Sequence, residues 1–327
     1  MNFSHLLQLT RRDALRALAV SALGMTGAAG ARLPTTGTVK LIVGFPAGGS
    51  ADAVARATAI GLARELRLPV VVENRPGGQL AISMQALTGA PADGLTLMYM
   101  TGTYLAVQAT QRLFTIDTQT TPIVNTIATP IVMLVRADSP LRTVADLVDA
   151  AKRGKDPLPY GVIGLGGIEH FKMVQMEKAA GFKGLPVPYR GGPDGVNALL
   201  AGDISCMLVP GIFAKNFAGR LRTLAVLGEQ RWQQLPDVPT LRESGVNVPP
   251  TSYWGGWVAP AGLSQETAAQ LAEVLTRVSR QPDVLAQLQA TGHDLRLTDS
   301  PEKFREQMRA ELVWMNDVAR SEGLIAK

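Results

Sequence analysis

Cysteine occurs once in the 327 residues, at Cys206. One thiol can form neither an internal disulfide nor a cysteine-based zinc site. Its place deep in the chain also excludes a lipid anchor on an N-terminal cysteine. Histidine is nearly as scarce, with His5, His170 and His293. No H-E-x-x-H, G-x-S-x-G or paired-cysteine motif occurs, so the familiar routes to a metalloprotease or an α/β-hydrolase elbow are absent. Aromatic residues make up 5 % and charged residues 18 %. No basic run is interleaved with aromatics, so the formal charge of +5 and the pI near 9.5 do not argue for a nucleic-acid partner. No stretch after the first thirty residues approaches the length of uninterrupted apolar sequence that a membrane span needs. What is plentiful is apolar side chain, 46 %, with 33 Gly and 21 Pro spread without a Gly-X-Y period. That composition excludes disordered and collagenous chains, and the length suits about two domains.

The N-terminus is read apart from the fold. Thr10-Arg11-Arg12-Asp13-Ala14-Leu15-Arg16 carries an arginine pair, residues 17–31 are uncharged, and Ala29-Gly30-Ala31 offers small residues at the −3 and −1 positions of a cleavage site. A basic region, a short apolar region and such a site describe an export signal, and the arginine pair indicates the twin-arginine type. Residues 1–31 are therefore assigned to a cleaved signal, and a Gram-negative periplasm is the expected address.

Beyond it, short apolar runs alternate with helical patterns. Residues 39–43, 70–72 and 95–100 read as strands, and residues 51–66 and 82–87 as helices. This β-α-β-α-β order implies a parallel sheet covered on both faces. Helices at 143–151, 169–180 and 193–200 alternate with strands near Val187 and at 205–208 and 222–227. Thr143 with Asp146 forms a capping box, Ser264 caps a C-terminal helix, and Ser300 caps the last one with Pro301 at its first turn. Residues 131–135 and 254–258 look alike, since each runs into a polar turn and then a helix. They read either as paired crossovers between two lobes or as ordinary sheet strands.

Three Gly-rich segments follow strands. In Val43-Gly44-Phe45-Pro46-Ala47-Gly48-Gly49-Ser50-Ala51-Asp52, glycines and a helix start can turn backbone N–H groups on one anion. The lysine of a phosphate loop is missing before Ser50, so a carboxylate suits the segment better than a nucleoside triphosphate. The alternative is a tight turn capped by Ser50 or Asp52. Met100-Thr101-Gly102-Thr103-Tyr104 lies past the carboxyl end of a parallel strand, where open α/β sheets bind ligands. Tyr160-Gly161-Val162-Ile163-Gly164-Leu165-Gly166-Gly167-Ile168-Glu169-His170 again runs strand, loop, helix, without a dinucleotide fingerprint. His170 and His293 read as capping or surface residues, and Cys206 as an inert buried thiol.

Together these segments resemble the Bug-type periplasmic receptors of tripartite tricarboxylate transporters. The marks are Phe45-Pro46-Ala47-Gly48-Gly49-Ser50-Ala51-Asp52, Val71-Val72-Glu73-Asn74-Arg75-Pro76-Gly77, Pro91-Ala92-Asp93-Gly94, Val187-Pro188-Tyr189-Arg190-Gly191, Leu235-Pro236-Asp237-Val238-Pro239-Thr240 and Ala259-Pro260-Ala261-Gly262. The resemblance implies a two-lobed α/β Venus flytrap of type II-like form with two crossover strands. Residues 32–132 and 257–327 would make a discontinuous first lobe, and 133–256 the second. It implies a non-enzymatic receptor, without cofactor or metal, that takes a small organic acid or amide in its interlobe cleft. The expected partners are membrane permease subunits, with no nucleic acid, and the expected state is a monomer. The ligand contacts it implies are Phe45, Ala47, Gly48, Gly49, Ser50 and Asp52, then Thr101, Gly102 and Thr103, then Gly164, Gly166, Gly167, Glu169 and His170. Trp254 is added as an aromatic that packs on the ligand, with core packing as its alternative.

The second-lobe loop departs from the family. Val162, Ile163, Gly167, Ile168 and Glu169 stand where the family usually carries several Ser or Thr, and Leu208-Val209-Pro210 where it commonly has an aspartate-asparagine pair. Fewer neutral donors and one extra carboxylate favour a monocarboxylate, amide or aromatic acid over a dicarboxylate. Two other readings stand beside this one. A secreted α/β hydrolase would use Ser50 as nucleophile and needs a histidine beside it. A sensor protein would present its ligand to a membrane kinase.

Overall fold

The computed structural model of the protein describes residues 33–325. The export signal assigned to residues 1–31 lies outside them. Five-residue strand β1 (Val39–Val43) pairs in parallel with β2 (Val70–Asn74) and β3 (Thr96–Thr101). Helix α1 (Ser50–Leu66) and helix α2 (Ala81–Thr88) connect them. Val54, Ala55 and Leu62 turn the buried stripe of α1 onto the sheet, as the helical spacing requires. Helix α3 (Gly102–Gln111) starts directly at the end of β3, where the sequence reads as a loop. Thr101 serves as its extended N-cap residue.

The largest departure from the sequence reading is β4 (Thr120–Arg136), a strand of 17 residues of which the apolar pattern marks only the last few. Pro122 and Pro130 mask it, because proline cannot donate to a ladder and argues against a central strand. The strand absorbs Pro122 beside a register shift between Pro122 and Val124. Pro130 falls where the strand changes partners. Up to Pro130, β4 pairs with β9 (Ser252–Pro260). From Ile131 it pairs with β7 (Cys206–Pro210).

That change of partners divides the sheet. The first half runs β2-β1-β3-β9-β4. The second half builds on the far end of β4 with β7, β5 (Leu158–Ile163) and β6 (Gly184–Tyr189), and with β8 (Leu221–Val226) on the other side. In both halves the parallel strands lie on one side of an antiparallel strand. Helices α4 (Val144–Arg153), α5 (Ile168–Ala180) and α6 (Gly192–Ala201) cover the second half. The Thr143 capping box is formed with Asp146. The chain then returns through β9, α7 (Gln265–Ser279), α8 (Pro282–Ala290) and short β10 (Asp294–Leu295) to α9 (Pro301–Ser321). Ser264 and Ser300 cap α7 and α9, and Phe304, Met308 and Met315 bury the inner face of α9. Cys206 is buried in β7, and burial pushes its thiol up to about 12. Among the described residues no helix is long and apolar enough to cross a membrane.

Candidate functional site

The carboxyl ends of β1, β3, β5 and β6 converge, and a cavity of about 270 Å³ lies among the loops that follow them. The first half-sheet contributes Gly44, Phe45, Thr103 and Val107 and the turn at residues 77–80. The second contributes residues 163–165 and 188–190. The lobes touch around this cavity. A Cβ on Gly191 would stand 2.7 Å from Pro46 Cδ, and one on Gly166 would stand 2.2 Å from Thr110 Oγ1. Both contacts join the second half-sheet's loops to the first half.

The two Gly-rich loops are held by the same device. In the first, Asp52 is the third residue of α1, and its carboxylate accepts the Gly48 N–H at 3.0 Å. It also accepts from Asn74 Nδ2 at 3.0 Å and Arg56 Nε at 2.9 Å. Asn74 Nδ2 further ties down the Phe45 carbonyl. Burial alone would raise the Asp52 carboxyl, but hydrogen bonds from Arg56, Gly48 and Asn74 hold it below its ordinary value. In the second loop, His170 is the third residue of α5, and its Nδ1 accepts the Gly166 N–H at 2.9 Å. Burial lowers His170, which keeps that nitrogen an acceptor. Asp52 and His170 thus brace the loops from the helix side. Gly48, Gly164 and Gly166 take the left-handed φ values the two turns need, +81, +74 and +78°.

Of the residues expected to meet a ligand, Phe45, Thr103 and Gly164 line the cavity. Ala47 and Gly48 are exposed, while Gly49, Gly102, Gly166 and Gly167 are buried in the loop and helix starts behind it. Trp254 lies elsewhere. It donates from Nε1 to Glu311, stacks edge-on against Phe304 at 5.5 Å, and lines a separate groove of about 970 Å³ with Lys172 and Trp314. Tyr104 is core: it is fully buried and bonded to Ser83 at 2.7 Å. It also explains Gly44, because a Cβ there would come within 2.1 Å of the Tyr104 hydroxyl.

Sequence reasoning misses the turn at 77–80 and residues 188–190 as cavity wall. Arg75-Pro76-Gly77-Gly78 reads in sequence only as punctuation. Gln79 and Leu80 hold φ of +51 and +70°, an uncommon conformation for side chains of that size. The Arg190 guanidinium at the rim is already engaged by Asp194 at 3.0 Å.

Ser50 sits at the first turn of α1, and its Oγ lies 2.7 Å from His293 Nε2. Thr291 Oγ1 lies 3.0 Å from Nδ1 and donates its own proton to the Gln287 and Leu288 carbonyls at 2.9 Å. Nδ1 therefore carries the ring proton and Nε2 accepts from the serine. Burial lowers His293 to about 4, so the ring stays neutral. Neither residue lines the cavity: Ser50 is 5 % exposed and His293 fully buried.

Glu169, at the second position of α5, is fully buried, and neither carboxyl oxygen has a hydrogen-bond partner from another residue. Burial pushes it up to about 8. Among the described residues no cluster of three or more metal-ligating side chains occurs.

Two half-sheets exchanging strands at β4, with loops meeting across a cleft at the ends of parallel strands, make this a two-lobed periplasmic binding protein. The chain belongs to the tripartite tricarboxylate transporter family receptors, the TctC family, whose model matches residues 54–325. It is similar to a UPF0065 protein of Bordetella pertussis, 32 % identical over 78 % of this chain and 80 % of that one. Protein BugT of the same organism is 25 % identical over 88 % of this chain and 90 % of its own. Among solved structures, R. palustris Rpa4515 with adipate superposes with a TM-score of 0.81 at 28 % identity, over 88 % of this chain and 97 % of that one. Periplasmic binding protein BugD shares the fold at a TM-score of 0.82 and 24 % identity, over 89 % of this chain and 99 % of that one.

Proposed function

We propose that this receptor captures a small organic carboxylate or related amide between its lobes and delivers it to permease subunits of a tripartite tricarboxylate-type transporter. The observation that carries this reading is the cavity walled by strand-end loops of both half-sheets. A ligand there touches both lobes, so its binding energy favours the closed form. The N-terminus of α1, with Asp52 neutralised by Arg56, supplies partial positive charge without a lysine. The adipate in the R. palustris structure supports an organic acid as guest. We draw the lobe borders at the exchange between Pro130 and Ile131 and just before Ser252. Residues 1–31 are taken as the twin-arginine-type signal that delivers the chain to the periplasm. Ligand-stripped protein should gain thermal stability with at least one small carboxylate or amide, because a ligand bound only by the folded state raises the melting temperature. A broad panel without any shift would overturn the reading.

One observation favours the hydrolase alternative: the base that Ser50 needs is present, in His293. Burial opposes it, since a substrate reaches neither atom. The pair reads as a strut joining α1 to the β10 region. His293→Ala should cost about 2–4 kcal/mol in denaturant unfolding, from the cavity and the lost partner of Ser50. A fluorophosphonate should leave Ser50 unlabelled; a stoichiometric serine adduct at Ser50 would restore the enzyme reading.

A further inference from the structure

The cavity at the strand ends is graded from polar at its mouth to apolar within. Its buried lining side chains are Phe45, Leu80, Thr103 and Val107 of the first lobe and Ile163 of the second. All but Thr103 are apolar, and Thr103 Oγ1 is itself buried, so it presents no oxygen to the space. Leu80 holds its place at φ +70°, which glycine adopts freely and leucine seldom does. The wall thus keeps an apolar side chain where local preference runs against one, and such outliers gather at ligand clamps.

Polar side chains stand toward the mouth. Gln79 of the first lobe and Arg190 of the second are exposed, and Tyr189 is half-buried. Among the described residues that line the cavity, Arg190 is the one with a charged side chain. Asp194 engages its Nε at 3.0 Å and leaves the two terminal nitrogens to a guest.

This distribution suits one carboxylate and not two. A carboxylate at the mouth keeps water, the Gln79 carboxamide and the Arg190 guanidinium as partners. A second one, at the inner end of the guest, would lose its water against Phe45, Leu80, Val107 and Ile163, none of which has a donor in its side chain. Apolar carbon at that end instead leaves water for an apolar wall. The volume, about 270 Å³, keeps the guest small. We propose that the guest is a monocarboxylate with a compact apolar body, its carboxylate at the mouth and its body between Val107 and Ile163, and that these two side chains select against a second charge. The inference rests on the reading of the cleft as a carboxylate site and names the other end of its guest.

Calorimetric titration of ligand-stripped protein with two matched pairs tests it: hexanoate against adipate, and 4-methylbenzoate against terephthalate. Within each pair a far methyl replaces a far carboxylate. The methyl-ended acid should bind about tenfold or more tightly than its partner, the scale of a carboxylate stripped of water without a donor. Val107→Thr and Ile163→Thr keep a β-branched shape and put a hydroxyl in the wall, so each should narrow that ratio several-fold. A dicarboxylate that binds comparably to its methyl-ended partner, or more tightly, overturns the inference and leaves the carboxylate site standing. So do ratios that both variants leave unchanged. Where none of the four binds, the broad thermal panel separates the two readings. A shift by some other small acid there overturns this inference alone, and no shift overturns both. The wild-type ratios stand as a test even where a variant does not fold.

Discussion

Gly191→Val is expected to remove ligand binding and leave the fold intact. Gly191 is extended, with φ −176 and ψ 174°, a conformation open to any residue, so valine brings no backbone strain. What it brings is a Cβ 2.7 Å from Pro46 Cδ, where the proline ring has no rotamer with which to yield. Gly191 precedes α6 in the second half-sheet and Pro46 lies in the first Gly-rich loop, so relief comes from holding the lobes apart. Affinity for any cleft ligand should fall about a hundredfold or more, because a ligand held by one lobe loses the contacts of the other. The melting temperature of the ligand-free protein should change little. Small-angle scattering should show a larger radius of gyration and no contraction when ligand is added. Wild-type affinity in Gly191→Val would show that the cleft closes elsewhere. Gly166→Val is a poorer probe, since its φ of +78° adds strain to the contact with Thr110.

The second large effect is a pH dependence that Glu169→Gln should take away. Burial raises Glu169 from 4.5 to about 8. Between those values the folded protein keeps a proton that the unfolded chain releases, so the stability this group contributes is full below 4.5 and is lost as the pH rises through 8. Glu311 acts in the same sense: burial raises it to about 7, against a hydrogen bond from Trp254 and the charge of Lys172. His293 acts in the opposite sense, because burial lowers it to about 4 and its neutral ring gains stability as the pH rises from 4 to 6.5. Above 6.5 only the carboxyls titrate, and wild-type stability should decline toward pH 8. Lys172, lowered to about 8 chiefly by burial, then turns the slope upward from 8 to 9, above which the buried Cys206 thiol, raised from 9.0 to about 12, opposes it. Glutamine keeps the shape of Glu169 and cannot ionise, so the variant should match the wild type near pH 4.5. It should exceed it near pH 8.5 by an amount on the order of 2–4 kcal/mol. Urea unfolding of both ligand-free proteins at these pH values measures the gap. Parallel curves would mean that Glu169 finds water or a partner and carries no such cost.

Glu169 also shows how far reading residues in order can go. Its loop is legible: strand, glycines and helix start appear in that order, and Glu169 stands out as a carboxylate where neutral donors are expected. Whether it faces solvent, the cleft or the core is not legible, because its burial comes from Tyr253 and α3, segments remote in the chain. Trp254 packs on Phe304 and donates to Glu311, away from the cavity wall. Asp52 and His170, expected as ligand contacts, each accept a glycine N–H of their own loop, Asp52 through its carboxylate and His170 through Nδ1. The signal is present in both cases, since each stands four residues after the glycine whose N–H it holds.

Local chemistry is enough for the parts whose partners are near in sequence. The capping box at Thr143, the caps at Ser264 and Ser300, and the glycines that permit left-handed turns each act within a few residues. The β/α alternation with its motifs is enough for the two-lobed class and the family. The long β4 strand is hidden because its two prolines argue locally against a strand, and only a register shift and an exchange of partners accommodate them. The Ser50–His293 bond joins residues 243 positions apart, and the approach of Gly191 to Pro46 likewise spans much of the chain. Tertiary structure alone decided these, as it decided the burial of Glu169. Burial and cross-lobe contact belong to the neighbours that folding assembles, and no residue carries its neighbours in its own sequence.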